Sequence, residues 1–375
     1  MSDKGLIILA AGGTGGHLFP AQALAEVLVK RGHIVHLMTD ERVRDYGKNF
    51  PAAEVHIIPS ASPSLSKPWL LPARGLKLWR GFRKAKSIMK RLRPVAVVGF
   101  GGYPSFPPLF AARSLGVPTL VHEQNAVLGR ANKLLAKRVD AVATSFDTVH
   151  GLPIEAKKRT IFTGNPVRAI ALAQQAAPYR DVLPDGPFSL VVFGGSQGAK
   201  FFSAFMPHVF AALAEPTRQR IQLVQQCRAE DIVRVQAEYI QLGIKSELNA
   251  FFSDMPKRLA DAQLVICRSG ASSLAELGVI GRPACLVPLP HAIDNDQLRN
   301  AQSFAAAGAG WVFPQNELSA DEFAAHLTQL MADGATLKKA ATMALNHGAP
   351  KAAENLADHT EKLAQKYAQT GVMLK

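Results

Sequence analysis

Residues 5–21 read GLIILAAGGTGGHLFPA, and the reading of this stretch decides the fold. The apolar run from Leu6 to Ala11 has the length of a buried strand. Gly12, Gly13, Thr14, Gly15 and Gly16 follow, and Pro20 with AQALAEVLVKRG reads as a helix that Gly32 stops. A strand, a glycine turn and a helix start form an anion site. The glycines let backbone N–H groups approach an oxygen, and the helix N-terminus adds partial positive charge. His17 stands just past the turn, where a titrating side chain can face the ligand. A plain tight turn is the alternative, but four glycines with Thr14 and His17 exceed what a turn needs. The spacing is not the dinucleotide fingerprint. Gly13 and Gly15 fit its first two places, but Leu18 stands in the third, and Asp40 closes the next strand-like run, HIVHLMTD. A nicotinamide enzyme is therefore the weaker reading.

The same logic recurs along the chain. In VAVVGFGGYPSFPPLFAARSLG a strand, Val95 to Val98, runs into Gly99, Gly101 and Gly102, then Tyr103, Ser105 and a helix. In VPTLVHEQNAVLGRANK a strand ends in His122, Glu123, Gln124 and Asn125. Parallel sheets bind ligands at the carboxyl ends of their strands, so these clusters should share one edge of a first domain. TIFTGNPVR, residues 160–168, ends that half, and a linker-like stretch runs to Pro187. SLVVFGGSQG then echoes the opening with Gly194, Gly195 and Gly198. Two similar α/β domains with a cleft between them are expected. Farther on, Arg268, Ser269, Gly270, Ala271, Ser272 and Ser273 occupy a strand-to-helix turn, with Glu276 on the first helical turn. Hydroxyls and N–H groups there can hold a diphosphate, and a carboxylate can accept from a ribose diol. The alternative is a capping box of Ser272 or Ser273 with Glu276. PHAIDNDQLRNA, residues 290–301, is the last polar strand end.

A chain of 375 residues with 48% hydrophobic content can bury two ordinary cores. Alternating strands and helices imply α/β architecture with parallel sheets. Cys227, Cys267 and Cys285 have no metal-like spacing; their odd number fits a reducing cytoplasm. The N-terminal apolar run is too short for a signal-peptide core, and no run of about 18 apolar residues exists to span a membrane. The net charge of +14 points to anionic partners. No acidic residue lies between Glu54 and Glu123, and cations crowd that gap from Lys67 to Arg93. Residues 60–75 read as a loop with an apolar tip of Trp69, Leu70 and Leu71. LKLWRGFRKAKSIMKRLRP follows as a basic amphipathic helix, with Leu76, Trp79, Phe82, Ile88, Met89 and Leu92 near helical spacing. An anionic membrane surface is the favoured partner, an ordinary core-facing helix the alternative. Nucleic acid has no recognisable motif to support it.

Taken in order, GGTGGHLFPA, GFGGYPSFP, HEQNAVLGRANK, GNPVR, GGSQGA, CRSGASSLAE and HAIDNDQLRNA resemble the MurG family of peptidoglycan N-acetylglucosaminyltransferases, over about residues 5–310. The resemblance implies a two-domain GT-B fold. It divides the chain into residues 1–165, acceptor-binding and membrane-associating, residues 166–355, which bind UDP-GlcNAc, and a C-terminal helix, 356–375, packing back on the first domain. It implies an inverting transfer of GlcNAc to the 4-hydroxyl of the muramyl sugar of undecaprenyl-linked lipid I, at the cytoplasmic face of the inner membrane. No cofactor is implied, UDP-GlcNAc being a substrate; dependence on a divalent ion stays open. By motif, Thr14, Gly15 and Gly16 would line the sugar-nucleotide or the acceptor-phosphate side of the cleft, and Asn125 would face the donor sugar. Arg168 and Ser196 would reach the nucleotide, and Phe252 would stand where the family holds the uracil. Ala271, Ser272, Ser273, Leu274, Ala275 and Glu276 would hold diphosphate and ribose, and Gln297 the GlcNAc hydroxyls. The chain departs from the family in Asp296-Gln297, where many members carry two glutamines, in one extra residue after His291, and in Ser272-Ser273 for a common Leu-Thr pair. The attacking hydroxyl must lose a proton, and His17 is the expected base; His122 and Glu123 are the other candidates.

Overall fold

Apolar runs without polar alternation suit strands buried on both faces, and two all-parallel sheets form from them. The computed structural model describes residues 4–12, 15–42, 50–62, 69, 71–290 and 293–369; for residues 195–198 and 293 it describes the backbone alone. Gly13, Thr14, Lys67, Leu70 and His291 therefore lie outside the described residues, as does the side chain of Ser196. The first sheet contains β1 (Leu6–Ala10), β2 (Ile34–Thr39), β3 (Glu54–Ile57), β4 (Ala96–Gly99), β5 (Thr119–Glu123), β6 (Ala141–Thr144) and β7 (Thr160–Phe162). Their order is β3-β2-β1-β4-β5-β6-β7. The second contains β8 (Phe188–Phe193), β9 (Ile221–Gln226), β10 (Lys245–Asn249), β11 (Leu264–Cys267), β12 (Ala284–Leu286) and β13 (Gly310–Val312). Its order is β10-β9-β8-β11-β12-β13.

Both sheets reverse direction beside their first strand, between β1 and β4 and between β8 and β11. The register there pairs Ala10 with Gly99, and Phe193 with Cys267. Such a reversal opens a crevice at the carboxyl ends, where doubly wound sheets take their ligands. The glycine and serine turns read from the sequence follow these four strands.

The chain divides into two compact units, residues 1–168 with 349–375, and residues 169–348. In the first unit, Ile7 and Leu9 face one layer of helices with Leu24, Leu28 and Leu356, while Ile8 and Val97 face the other with Ala85, Met89 and Leu109. The second unit repeats this with Leu190 and Val192 on one face and Val191 and Val265 on the other. The last helix, Ala352–Gln369, belongs to the first unit and starts four residues before position 356. Its Asp358 and Glu361 each accept from Arg31 at 2.7 Å.

Two helices differ from the sequence reading. The first runs Gly15–Lys30, so Gly15, Gly16 and His17 form its first turn and Pro20 lies inside it. The glycines do not end the turn; they begin the helix. The basic helix runs Leu71–Leu92, taking in Arg74 and Gly75. Its buried stripe is Gly81, Ala85 and Met89, with Phe82 and Ile88 packed partly beside it. Gly81 is required there, because a side chain would strike the carbonyl oxygen of Pro59. Leu76 and Trp79 face outward, 47% and 52% exposed, as does Trp69 at 71%. Among the described residues no helix is long and apolar enough to cross a membrane.

Candidate functional site

In the first unit the carboxyl ends of β1, β4 and β5 converge on His17. Its imidazole lies against the glycine turns, and a methyl group added at Gly12 or Gly102 would come within 3.3 Å or 3.4 Å of its Cδ2. Gly101 and Gly102 also have positive φ, 85° and 70°, which favours glycine on conformational grounds as well. Ser105 ties the two turns together, its hydroxyl reaching the carbonyls of Ala10 at 2.8 Å and Gly101 at 2.6 Å. His17 Nδ1 lies 3.1 Å from Gln124 Oε1, and Gln124 Nε2 lies 3.0 Å from His122 Nδ1. His122 Nε2 in turn faces the carbonyl of Gly164 at 3.0 Å. Three polar side chains from two distant segments thus form one line of hydrogen bonds.

The other two candidate bases are spoken for. His122 is fully buried, both its nitrogens are engaged, and burial brings its pKa down to about 4. Glu123 is buried too. Its Oε1 accepts from the backbone and side chain of Asn125 at 3.0 and 3.2 Å, and its Oε2 from Gly129 N at 2.9 Å and Asn132 Nδ2 at 2.8 Å. Burial pushes its carboxyl above the usual range, against the pull of these four donors. Glu123 therefore shapes the loop that presents Asn125. Arg168 also belongs to this unit, its guanidinium 4.5 Å over the ring of Phe19.

In the second unit, β11 leads through Arg268, Ser269 and Gly270 into the helix Ala271–Ile280. The helix cap is Gly270, without a side-chain cap, so the capping box is not formed. Glu276 is consequently the sixth residue of the helix, on its second turn. The hydroxyl of Ser272 is buried without a hydrogen-bond partner among the described residues. A buried hydroxyl left unpaired at a helix start is destabilising unless a ligand supplies the partner. Arg268 does not face this opening. Its guanidinium turns inward over Phe201 and Phe202, donates to the carbonyls of Val287 and Pro288 and to Gln315, and burial brings its pKa down to about 10. Ser269 is committed as well, donating to the carbonyl of Gln297 at 2.7 Å.

Gln297 holds its own loop, since its Oε1 accepts from Leu289 N at 3.0 Å. That leaves its amide nitrogen as the group that can donate to a sugar. Asp294 and Asn295, just before it, both take left-handed backbone (φ 61° and 54°). Phe252 is buried under the guanidinium of Arg258, 4.3 Å from its ring centre, while Phe251 is 71% exposed. The signal for Gln124 and Arg268 was present only as polar residues at strand ends.

One group with metal-ligand chemistry forms among the described residues. His36 and His56, on β2 and β3, hydrogen-bond to each other at 3.0 Å, with Glu54 3.9 and 3.4 Å away. Burial lowers both imidazoles, but nearby Lys84 and Arg91 add positive charge that opposes a cation.

Two parallel sheets of this order, each reversing direction beside its first strand, have the two-domain GT-B fold of glycosyltransferases. Residues 7–144 match the glycosyltransferase family 28 N-terminal domain and residues 189–356 its C-terminal domain. The chain is 51% identical over 362 residues, 96% of both chains, to the UDP-N-acetylglucosamine–N-acetylmuramyl-(pentapeptide) pyrophosphoryl-undecaprenol N-acetylglucosamine transferase of Rhizobium meliloti (strain 1021). It is 51% identical over 364 residues, again 96% of both chains, to the enzyme of the same name from Mesorhizobium japonicum. A crystal structure of Acinetobacter baumannii MurG is similar at a TM-score of 0.76 and 29% identity, with 96% of this chain and 99% of that one covered. The chain belongs to the MurG family of N-acetylglucosaminyltransferases.

Proposed function

We propose that this chain transfers N-acetylglucosamine from UDP-N-acetylglucosamine to the 4-hydroxyl of the N-acetylmuramyl sugar of lipid I, with inversion, giving lipid II and UDP. The observation that carries this reading is identity at half of all positions, along 96% of both chains, with enzymes of that name. The donor is held by the second unit. The N-terminus of the helix at Ala271 and the unpartnered Ser272 hydroxyl suit the diphosphate, and Glu276 suits the ribose diol. Gln297 offers its amide to the sugar, and by the family's motifs Phe252, Ser196 and Arg168 are assigned to the nucleotide. In the first unit the helix start at Gly15 and Gly16 suits the acceptor's pyrophosphate, and by the family's motifs Thr14 is assigned to the same phosphate and Asn125 to the donor sugar. His17 takes the proton of the acceptor hydroxyl as that oxygen bonds to the anomeric carbon and the bond to UDP breaks. The test is thermal stabilisation. A ligand that binds only the folded state adds about 2.7 kcal/mol at 100 times its dissociation constant. UDP should raise the unfolding temperature where ADP and NAD do not; stabilisation by NAD alone would restore the oxidoreductase reading.

The same reading places the enzyme on an anionic membrane surface at the cytoplasmic face, without a nucleic-acid partner. The exposed Trp69, Leu71, Leu76 and Trp79 beside a helix free of acidic residues support it. Each cation near an anionic surface gains about 1 kcal/mol. Reversing Lys77, Arg80, Arg83 and Lys90 to Glu should release the protein from anionic vesicles and leave UDP binding intact. Equal binding to neutral and anionic vesicles at low salt would sink the idea, as would tight, salt-sensitive binding to DNA.

A further inference from the structure

The line from Gly164 to His17 can be assigned atom by atom, starting from the one group whose role is not negotiable. The carbonyl oxygen of Gly164 only accepts, so His122 Nε2, 3.0 Å away, is the protonated nitrogen. His122 is neutral near pH 7, since burial holds its pKa at about 4. Its Nδ1 therefore carries a lone pair and accepts. The atom 3.0 Å from Nδ1 must be a donor, which makes it the amide nitrogen of Gln124. That nitrogen also donates to the His122 carbonyl at 3.1 Å. Turning the amide over would set its oxygen against two acceptors, the His122 Nδ1 lone pair and the His122 carbonyl, in a site 2% exposed. The Gln124 oxygen is thus the atom facing His17 Nδ1 at 3.1 Å, and an amide oxygen only accepts. His17 Nδ1 must carry the hydrogen.

We propose that Gln124, itself oriented by His122 and the Gly164 carbonyl, is a positioning residue that fixes His17 as its Nδ1–H tautomer and so makes Nε2 the basic nitrogen. Nε2 is the ring atom on the side of Gly102, where an added methyl group would come within 3.5 Å of it. The inference rests on the reading of His17 as the base, and it adds which nitrogen takes the proton and what decides it. When Nε2 takes the acceptor's proton, the imidazolium keeps its Nδ1–H bond to Gln124, so no second proton has to move. A neutral amide also differs from the carboxylate found in many catalytic dyads. It orients the ring without adding negative charge, which would hold the proton on the imidazolium.

Nitrogen-15 NMR of the full chain labelled at histidine reads the tautomer directly, above the pH at which His17 titrates. The expected spectrum has a protonated Nδ1 and an unprotonated Nε2 for His17, and the reverse for His122. A His17 protonated at Nε2 overturns the proposal without any variant being made. Gln124→Met removes the acceptor and should give a mixture of His17 tautomers. It should lower kcat about 10- to 100-fold, with the KM for UDP-N-acetylglucosamine within about twofold, well short of the loss on disabling a charged orienting group. A Gln124→Met protein with a single Nδ1–H tautomer and full turnover overturns it as well. Gln124→Glu can still accept from Nδ1–H, and should keep the tautomer while moving the acid limb of the kcat profile to higher pH; an unmoved limb counts against the contact. Full turnover by His17→Ala would remove the base reading alone, and the spectrum would still decide the tautomer.

Discussion

The two units share one strand order and differ in what stands at its reversal point. In the first, the His17 imidazole lies against the glycine turns and is joined through the Gln124 amide to buried His122, an arrangement that suits the proposed proton transfer. In the second, a helix capped by Gly270 offers backbone N–H groups, a buried serine hydroxyl and a carboxylate, so the point is equipped to hold a polar ligand still. The comparison teaches that the sheet supplies only the crevice. Chemistry is decided by the few residues that follow each strand, because those alone face the opening.

The sharpest way to break this division of labour is to remove His17, the proposed proton acceptor. His17→Ala should lower kcat by about 100- to 10,000-fold and shift its pH profile, while donor affinity stays nearly unchanged. A variant with near-normal kcat and a raised KM for lipid I would make the first unit a binding site too, and the contrast would collapse.

Acid should weaken the first unit through His122. Its folded pKa, about 4, lies below the ordinary value of 6.5. Between those limits the unfolded chain binds a proton that the folded protein refuses. The stabilisation is therefore complete above pH 6.5 and is lost as pH falls toward 4, by up to about 3 kcal/mol. Equilibrium unfolding from pH 7 to pH 4 should show the fall, and His122→Gln should flatten it. An equal slope in the variant would exclude His122 as the source.

The smallest effect belongs to the holding site. Glu276→Ala should weaken donor binding by about 1.5–3 kcal/mol, the range for hydrogen bonds to a charged group, with the fold intact. Calorimetry showing wild-type affinity for UDP-N-acetylglucosamine would remove Glu276 from the ribose.

What the sequence alone determined is local. Apolar runs of four to six residues that break into glycine read as strand, turn and helix, because such signals lie in backbone preferences spanning a few neighbours. His17, Asn125 and the Ala271–Glu276 turn were legible for that reason, as strand-end residues, and so were two α/β domains. What only the tertiary structure decided is which groups meet. His17 and Gln124 are 107 positions apart and meet because β1, β4 and β5 lie side by side. Glu123 looked like a base until four donors closed around it. Arg268 stands at the same strand end in sequence as the Ala271–Glu276 turn, yet its guanidinium turns inward over Phe201 and Phe202. In the basic helix, only Met89 of the apolar residues that stand out in sequence is fully buried, beside Gly81 and Ala85. The backbone at Pro59 approaches so closely that only glycine fits at position 81, while Trp79 is left outside. Spacing along a chain marks a face as apolar, but the distance to the next element selects which face is buried. That distance is set by strand order and register, which no short stretch of sequence contains.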